Sequence, residues 1–193
     1  IYHEHLRYYS LTSLQYLLKA HRLEIIHARL IPTHGGSIRV YAARQGTRSV
    51  KQSVAEILAA EAARGSLRQQ LEEFKSRVVK SKVDLHALFS NIKGKGERIY
   101  GISAPSRATT LANYVGIDDG IVDCILEIRG SKKIGRYLPG TMIPVVEESR
   151  LFKDQPEYAL ILAWHIADDL ATKLRGLGYN GKFIVPLPQP RII

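Results

Sequence analysis

Between residues 98 and 188, short apolar runs alternate with stretches that favour a helix, and no other feature constrains the fold as strongly. Arg98-Ile99-Tyr100-Gly101-Ile102 reads as a strand that ends in the small-residue turn Ser103-Ala104-Pro105. A helix is expected from about Ser106 to Tyr114, stopped at Gly116, because glycine takes the backbone conformation of a helix end without steric cost. Val122 to Leu126 and Tyr158 to Ala163 read as further strands, with a helix from about His165 to Leu174. Gly181 to Pro188 closes the pattern. Strands separated by helices are joined by crossovers, which make neighbouring strands parallel and cover the sheet on its faces.

The first half has a different rhythm. Residues 1 to 9 read as a strand end and loop rich in His and Tyr, and Thr12 to Gln15 fits a capping box that opens a short helix ending near His21. Leu23 to Leu30 and Ser37 to Ala42 are strand-like, and the Pro32-Thr33-His34-Gly35-Gly36 turn joins them as an antiparallel hairpin. From Ser49 to about Ile92 the period becomes helical, with capping boxes at Ser49 to Gln52 and Ser66 to Gln69 on either side of Gly65. Leu67, Leu71, Phe74, Val78, Leu85, Leu88 and Ile92 form one apolar stripe. The expected fold is α/β: a Rossmann-like, mostly parallel sheet flanked by helices, preceded by a helical connector and a short hairpin region. The expected divisions are residues 1–47, 48–95 and 96–193.

Composition narrows the function classes. With 193 residues and 45% hydrophobic content, the chain has enough apolar surface for a sizeable core. One cysteine, Cys124, excludes a disulfide framework and a multi-cysteine zinc site within these residues. No stretch reaches the roughly 20 apolar residues of a membrane span, and no signal peptide opens the chain. We expect a cytoplasmic protein with no membrane partner, cut from something longer. The 28 Lys and Arg against 18 Asp and Glu give +10 at neutral pH, but these charges are scattered and accompany no helix-turn-helix, zinc-finger or RNA-recognition signature. Nucleic acid is therefore not the expected partner. A solvated basic surface, a small anion such as a diphosphate, and an acidic partner domain all fit the charge.

Three constellations carry chemistry. Tyr2-His3-Glu4-His5 sets imidazoles beside a phenol and a carboxylate, a set suited to proton transfer near neutral pH and equally to a hydrogen-bonded surface loop. Its spacing does not match a helical zinc-binding pair, and no metal site is expected. The segment Gly101 to Thr110 lies where a strand feeds a helix, and such turns at the carboxyl edge of a parallel sheet bind ligands. Its small residues let a ligand approach the backbone, and Arg107 is suited to a bidentate phosphate contact. It lacks Gly-x-Gly-x-x-Gly, which disfavours a dinucleotide; a tight turn with a capping serine is the plain alternative. Lys132 to Thr141, followed by Ile143-Pro144-Val145, reads as an anion-binding or covering loop, or as ordinary solvated chain. Trp164-His165 ends an apolar strand, where either a binding residue or a packed aromatic fits.

Seven motifs occur in an order that resembles one family: Tyr2-His3-Glu4-His5-Leu6; Tyr8-Tyr9-Ser10-Leu11; Thr33-His34-Gly35-Gly36-Ser37; Ala104-Pro105-Ser106-Arg107 running into Leu111-x-Asn113-Tyr114; Pro139-Gly140-Thr141-x-Ile143-Pro144-Val145; Ala163-Trp164; and Phe183 to Pro188. Across its whole length the chain resembles the C-terminal portion of the S-adenosylmethionine-dependent C-methyltransferases that act on nucleotide-linked keto-deoxysugars. The resemblance implies an N-terminal zinc-binding region, a methyl-donor domain and a C-terminal α/β domain that helps hold the sugar nucleotide. Zinc, S-adenosylmethionine and the protein's own N-terminal domains then belong to the full-length enzyme, and this portion alone is expected to be inactive. A non-catalytic nucleotide- or nucleotide-sugar-binding module is the alternative.

By this resemblance His5 is the base that generates an enolate, with Tyr2 and Glu4 positioning the sugar or stabilising that enolate. Ser103, Ala104, Pro105, Ser106, Arg107, Thr109, Asn113 and Arg136 are the expected substrate-binding residues. Members acting on antibiotic sugars tend to carry Lys-Gly-Asn where this chain has Arg107-Ala108-Thr109. The change preserves a phosphate-binding cation and leaves the sugar and nucleobase open.

Overall fold

A computed structural model describes residues 5–33 and 36–193. These form two compact units, His5–Lys75 and Ser76–Ile193.

In the first unit, helix α1 (Leu11–Ala20) is followed by strands β1 (Leu23–Ile31) and β2 (Ser37–Arg44) and by helix α2 (Gln52–Ala62). The strands pair antiparallel, as their alternation led us to expect, with a register shift between Ile25 and His27. The helix starts differ from the sequence reading. Ser10, not Thr12, caps α1, and Ser13 reciprocates: each side-chain oxygen accepts the other's backbone N–H, at 3.1 and 2.9 Å. The expected capping box at Ser49 does not form, and α2 starts after Lys51 without a side-chain cap. The N-terminus of α1 has a second cap from a distant residue. The Glu61 carboxylate accepts the Leu11 and Thr12 amides at 2.7 and 2.9 Å and the Thr12 hydroxyl at 2.6 Å.

Burial raises the Glu61 pKa, but the Thr12 hydroxyl, the two amides and Arg64 outweigh it and hold the carboxyl below its usual value. Leu11, Ile25, Ala28 and Val54 are the buried core of this unit. With so small a core, Glu61→Ala is expected to cost about 1–2 kcal/mol, the usual effect of losing a helix cap. A lower urea midpoint with an unchanged m-value checks it.

Helix α3 (Leu67–Gly94) runs from the first unit into the second. Its start matches the expectation, since the Ser66 and Gln69 side chains each accept the other's backbone N–H at 3.3 Å. The apolar stripe is only half used. Leu85 and Ile92 are buried with Phe89, whereas Leu67, Leu71 and Phe74 stay exposed.

The second unit continues with β3 (Ile99–Ile102), α4 (Ser106–Val115), β4 (Cys124–Glu127), β5 (Val145–Glu147), α5 (Ser149–Asp154), β6 (Tyr158–Ile161), a 3-10 turn (Trp164–Ile166), α6 (Ala167–Gly176), β7 (Lys182–Val185) and β8 (Arg191–Ile192). Among the described residues the sheet order is β5-β4-β3-β6-β7-β8, parallel except for β8. Every residue of β3, β4 and β6 is buried, which is why these strands read as unbroken apolar runs. Alternate side chains serve opposite faces. Ile99, Ile125, Leu160 and Ile184 pack with Leu85, Phe89 and Ile92 of α3 and with Ala108, Leu111, Ala112 and Val115 of α4. Tyr100, Ile102, Leu126, Ala159, Ile161 and Phe183 pack with Leu151 of α5 and with Ala167, Ala171 and Leu174 of α6.

An ion pair ties the amino edge of this sheet. The Arg98 guanidinium donates to Glu157 at 3.2 and 3.3 Å and to the Asp154 carbonyl at 3.0 Å, and Glu157 also accepts the Arg98 amide at 2.8 Å. The Arg98 side chain, then the Arg98 amide, hold the Glu157 carboxyl down at about 2. The folded pKa lies below the unfolded one of about 4.3, so this stabilisation is present above that value and is lost as pH falls towards about 2. Both side chains are 41% exposed, which limits the effect to about 1 kcal/mol. Glu157→Gln is expected to flatten the decline of Tm across this window, measured by thermal melts at successive pH values.

Candidate functional site

The order of strands decides where a site can form. From β3 the chain crosses through α4 to β4 on one side, and it later returns to β6 on the other side of β3. Crossovers leaving in opposite directions open a crevice beyond the carboxyl ends of β3 and β6. The residues there are Ser103 to Arg107 after β3 and Ala163 to His165 after β6.

The turn after β3 is tight. Ser103 has φ of +66°, a left-handed conformation that costs a non-glycine residue energy and needs surrounding support. Support comes from the Ser103 amide, which donates to the Leu126 carbonyl at 2.8 Å. Pro105 then caps α4 without a side-chain hydrogen bond. The N-terminus of α4, with the positive end of its helix dipole, therefore stands at this edge of the sheet, and the Ala108 amide donates to the Pro105 carbonyl at 2.8 Å.

Arg107 sits in this first turn and is 8% exposed. Its guanidinium lies over the Trp164 ring, 5.4 Å from the centroid, so the two sides of the crevice meet through a cation–π contact. Trp164 is half-buried and touches both faces of the core.

Two groups hold the turn: Lys133, from the loop read as anion-binding or covering, and Glu127, which the sequence reading did not select. Glu127 ends β4 with 7% exposure. Its carboxylate accepts the Ala104 amide at 2.8 Å and the Lys133 ammonium at 3.0 Å. Lys133 also donates to the Ala104 carbonyl at 2.7 Å. Burial raises the Glu127 pKa, but the Ala104 amide, Lys133 and Ser131 outweigh it and keep the carboxyl below its usual value. An acid directly after the apolar run Cys124-Ile125-Leu126 was the available signal.

The other expected site residues fall as follows. Thr109 is half-buried on α4. Asn113, one turn further on, donates from Nδ2 to the Thr109 and Pro139 carbonyls at 2.8 and 2.9 Å, which ties α4 to the Pro139-Gly140-Thr141 turn. Arg136 is exposed, with Nε donating to the Lys132 carbonyl at 3.1 Å. Its loop is anchored at both ends, since Leu138 and Ile143 are buried and the Val145 amide donates to the Arg136 carbonyl at 2.8 Å. His5 belongs to the first unit, is exposed, and lies 6.0 Å from the Tyr8 ring. Tyr2 and Glu4 lie outside the described residues, as do His3 and His34.

Among the described residues no three His, Cys, Asp or Glu side chains gather as a metal site. Burial pushes the Cys124 thiol up to about 12, which makes it a poor nucleophile. No helix among the described residues is long and apolar enough to cross a membrane. An open depression of about 390 Å³ lies elsewhere, lined by Lys80, Asp84, Leu88 and Gln189 to Ile192. Its Lys80 and Asp84 already pair at 2.7 Å.

Residues 32–188 match the family model described as the C-methyltransferase C-terminal domain. The chain is 32% identical to the C-methyltransferase NovU of Streptomyces niveus, with all of this chain and 46% of that protein covered. The chain thus spans about half the length of this relative. With a family match across most of the chain and a relative aligned along all of it, the chain belongs to the C-methyltransferase family.

Proposed function

We propose that residues 76–193 hold the nucleoside-diphosphate end of a nucleotide-linked keto-sugar, for methyl transfer by the full-length enzyme. One observation carries this reading: a buried Arg107, braced on Trp164, stands in the first turn of a helix whose N-cap, Pro105, makes no side-chain hydrogen bond, at the switch point of a parallel sheet. An arginine and a helix N-terminus together offer charge-assisted donors in the fork geometry that phosphate oxygens accept. Ser103, Ala104, Pro105 and Ser106 would present small side chains that let the ligand come close. Thr109, Asn113 and Arg136 would border it.

In the full-length enzyme, S-adenosylmethionine would supply an electrophilic sulfonium methyl group. His5 would take the proton from the carbon beside the ketone, with Tyr2 and Glu4 placing the sugar or stabilising the enolate.

The chain's one tryptophan gives a direct test. Saturation with uridine or thymidine diphosphate is expected to change Trp164 emission, because the ligand perturbs the guanidinium over its ring. Unchanged emission together with an unchanged melting temperature rejects the reading. For His5, the full-length His5→Ala variant is expected to lose solvent exchange of the substrate's α-proton, followed by NMR in deuterated water; retained exchange rejects it as the base.

A further inference from the structure

The Glu127–Lys133 pair occupies both backbone polar groups of Ala104: the carboxylate takes its N–H at 2.8 Å and the ammonium takes its C=O at 2.7 Å. The two charged groups also bond each other at 3.0 Å. Ala104 is the middle residue of the turn between β3 and α4, and its neighbour Ser103 holds the left-handed conformation. These two groups lie in the peptide units on either side of the Ala104 Cα, so neither unit can turn about that Cα without breaking a charge-assisted bond. The Glu127 carboxylate itself is buried, with 8% side-chain exposure, so leaving the pair would strand it without solvent. The pair spans the loop containing Gly130, whose φ of +83° turns the chain so that Lys133 folds back onto the strand end.

We propose that Glu127 and Lys133 are positioning residues, a clamp that fixes the Ser103-Ala104-Pro105 turn and thereby the geometry in which the amides of α4 and Arg107 meet a diphosphate. This deepens the ligand reading above and rests on it. The clamp acts through backbone shape. Its net charge is zero, so it contributes little long-range attraction to an anion.

That neutrality makes shape and charge separable. Glu127→Gln keeps an acceptor for the Ala104 amide but removes a negative charge close to the anion site. Simple electrostatics then expects tighter diphosphate binding; the clamp expects binding weaker by about fivefold, because the charge-assisted grip is lost. The double variant E127Q/K133M leaves the local net charge unchanged, removes both charges of the grip and releases the Ala104 carbonyl, and it is expected to bind about tenfold more weakly, the scale of one lost positioning hydrogen bond.

The experiment is calorimetric titration of the 193-residue chain with uridine and thymidine diphosphate, together with amide hydrogen exchange at Ala104. The expected result is weaker binding in both variants and faster Ala104 exchange, at a melting temperature that shows the fold retained. Tighter or equal binding by Glu127→Gln, or wild-type affinity in the double variant, overturns the clamp. Unchanged Ala104 exchange overturns it too, and that arm needs no ligand. A wild-type chain that binds neither diphosphate overturns the ligand reading instead, while Ala104 exchange still decides whether the pair holds the turn.

Discussion

Arg107→Ala is expected to lower affinity for nucleoside diphosphates by at least about 100-fold, equivalent to roughly 2.7 kcal/mol, the loss of one or two charge-assisted hydrogen bonds. Three terms act in the same direction. The variant loses the fork that grips phosphate oxygens, the brace against Trp164 at 5.4 Å, and the packing of a side chain that is 8% exposed. Arg107→Lys separates them. Lysine restores the charge but not the planar fork or its stacking, so its affinity is expected to fall between wild type and alanine. Calorimetry reads the affinities, and a melt of each variant separates lost binding from lost folding.

The largest expected effect on stability is at Gly101. This residue lies in β3, paired with Ile125 of β4 on one side and Leu160 of β6 on the other. A Cβ added there would stand 2.4 Å from Ile125 Cδ1 and 3.2 Å from Leu162 Cδ1. The constraint is room. No special φ is involved, and both strand neighbours are fixed by the sheet. Gly101→Val is expected to cost about 3 kcal/mol, the upper end of ordinary overpacking, and so to lower the Tm of the 76–193 unit by roughly 10 °C.

Gly101→Ala should be milder, because the nearest atom is the free end of a side chain. The double variant G101A/I125V removes that atom and is expected to recover part of the loss. If Gly101→Val melts within about 2 °C of wild type, less than the shift of 1 kcal/mol, the close packing between β3 and β4 is refuted.

Much of this architecture was legible in the sequence because burial on both faces makes a strand apolar throughout. Tyr158 to Ile161 and Ile99 to Ile102 show it directly. Gly116 marked the end of α4, where its φ of +83° is left-handed. Other elements left too little signal. Strand β5 has three residues directly after Pro144, and α5 has six, so neither completes a period. The cap of α1 was missed because its third position is Ser13, not Glu or Gln, and because its other cap, Glu61, is 50 residues away from Leu11.

The site was legible in part for the same physical reason. A strand feeding a helix through small residues is a local pattern, so Ser103 to Arg107 stood out. The pairing of β3 with β6, which brings Trp164 opposite Arg107, is set by contacts between residues more than 50 apart. Glu127 and Lys133 lie six residues apart, yet only the fold shows that both reach Ala104. Nothing in their spacing, across a loop with a glycine at 130, points to a third residue in the turn after another strand.

The central claim is that the switch-point crevice binds the diphosphate of a nucleotide-linked substrate. Calorimetric titration of the 193-residue chain with uridine and thymidine diphosphate, repeated with duplex DNA across a salt series, tests it most directly. Saturable one-to-one binding of a nucleoside diphosphate, abolished by Arg107→Ala, is expected, with weak DNA binding. Steeply salt-dependent DNA binding with no diphosphate heat would contradict it, and the +10 charge would then be the chain's functional feature.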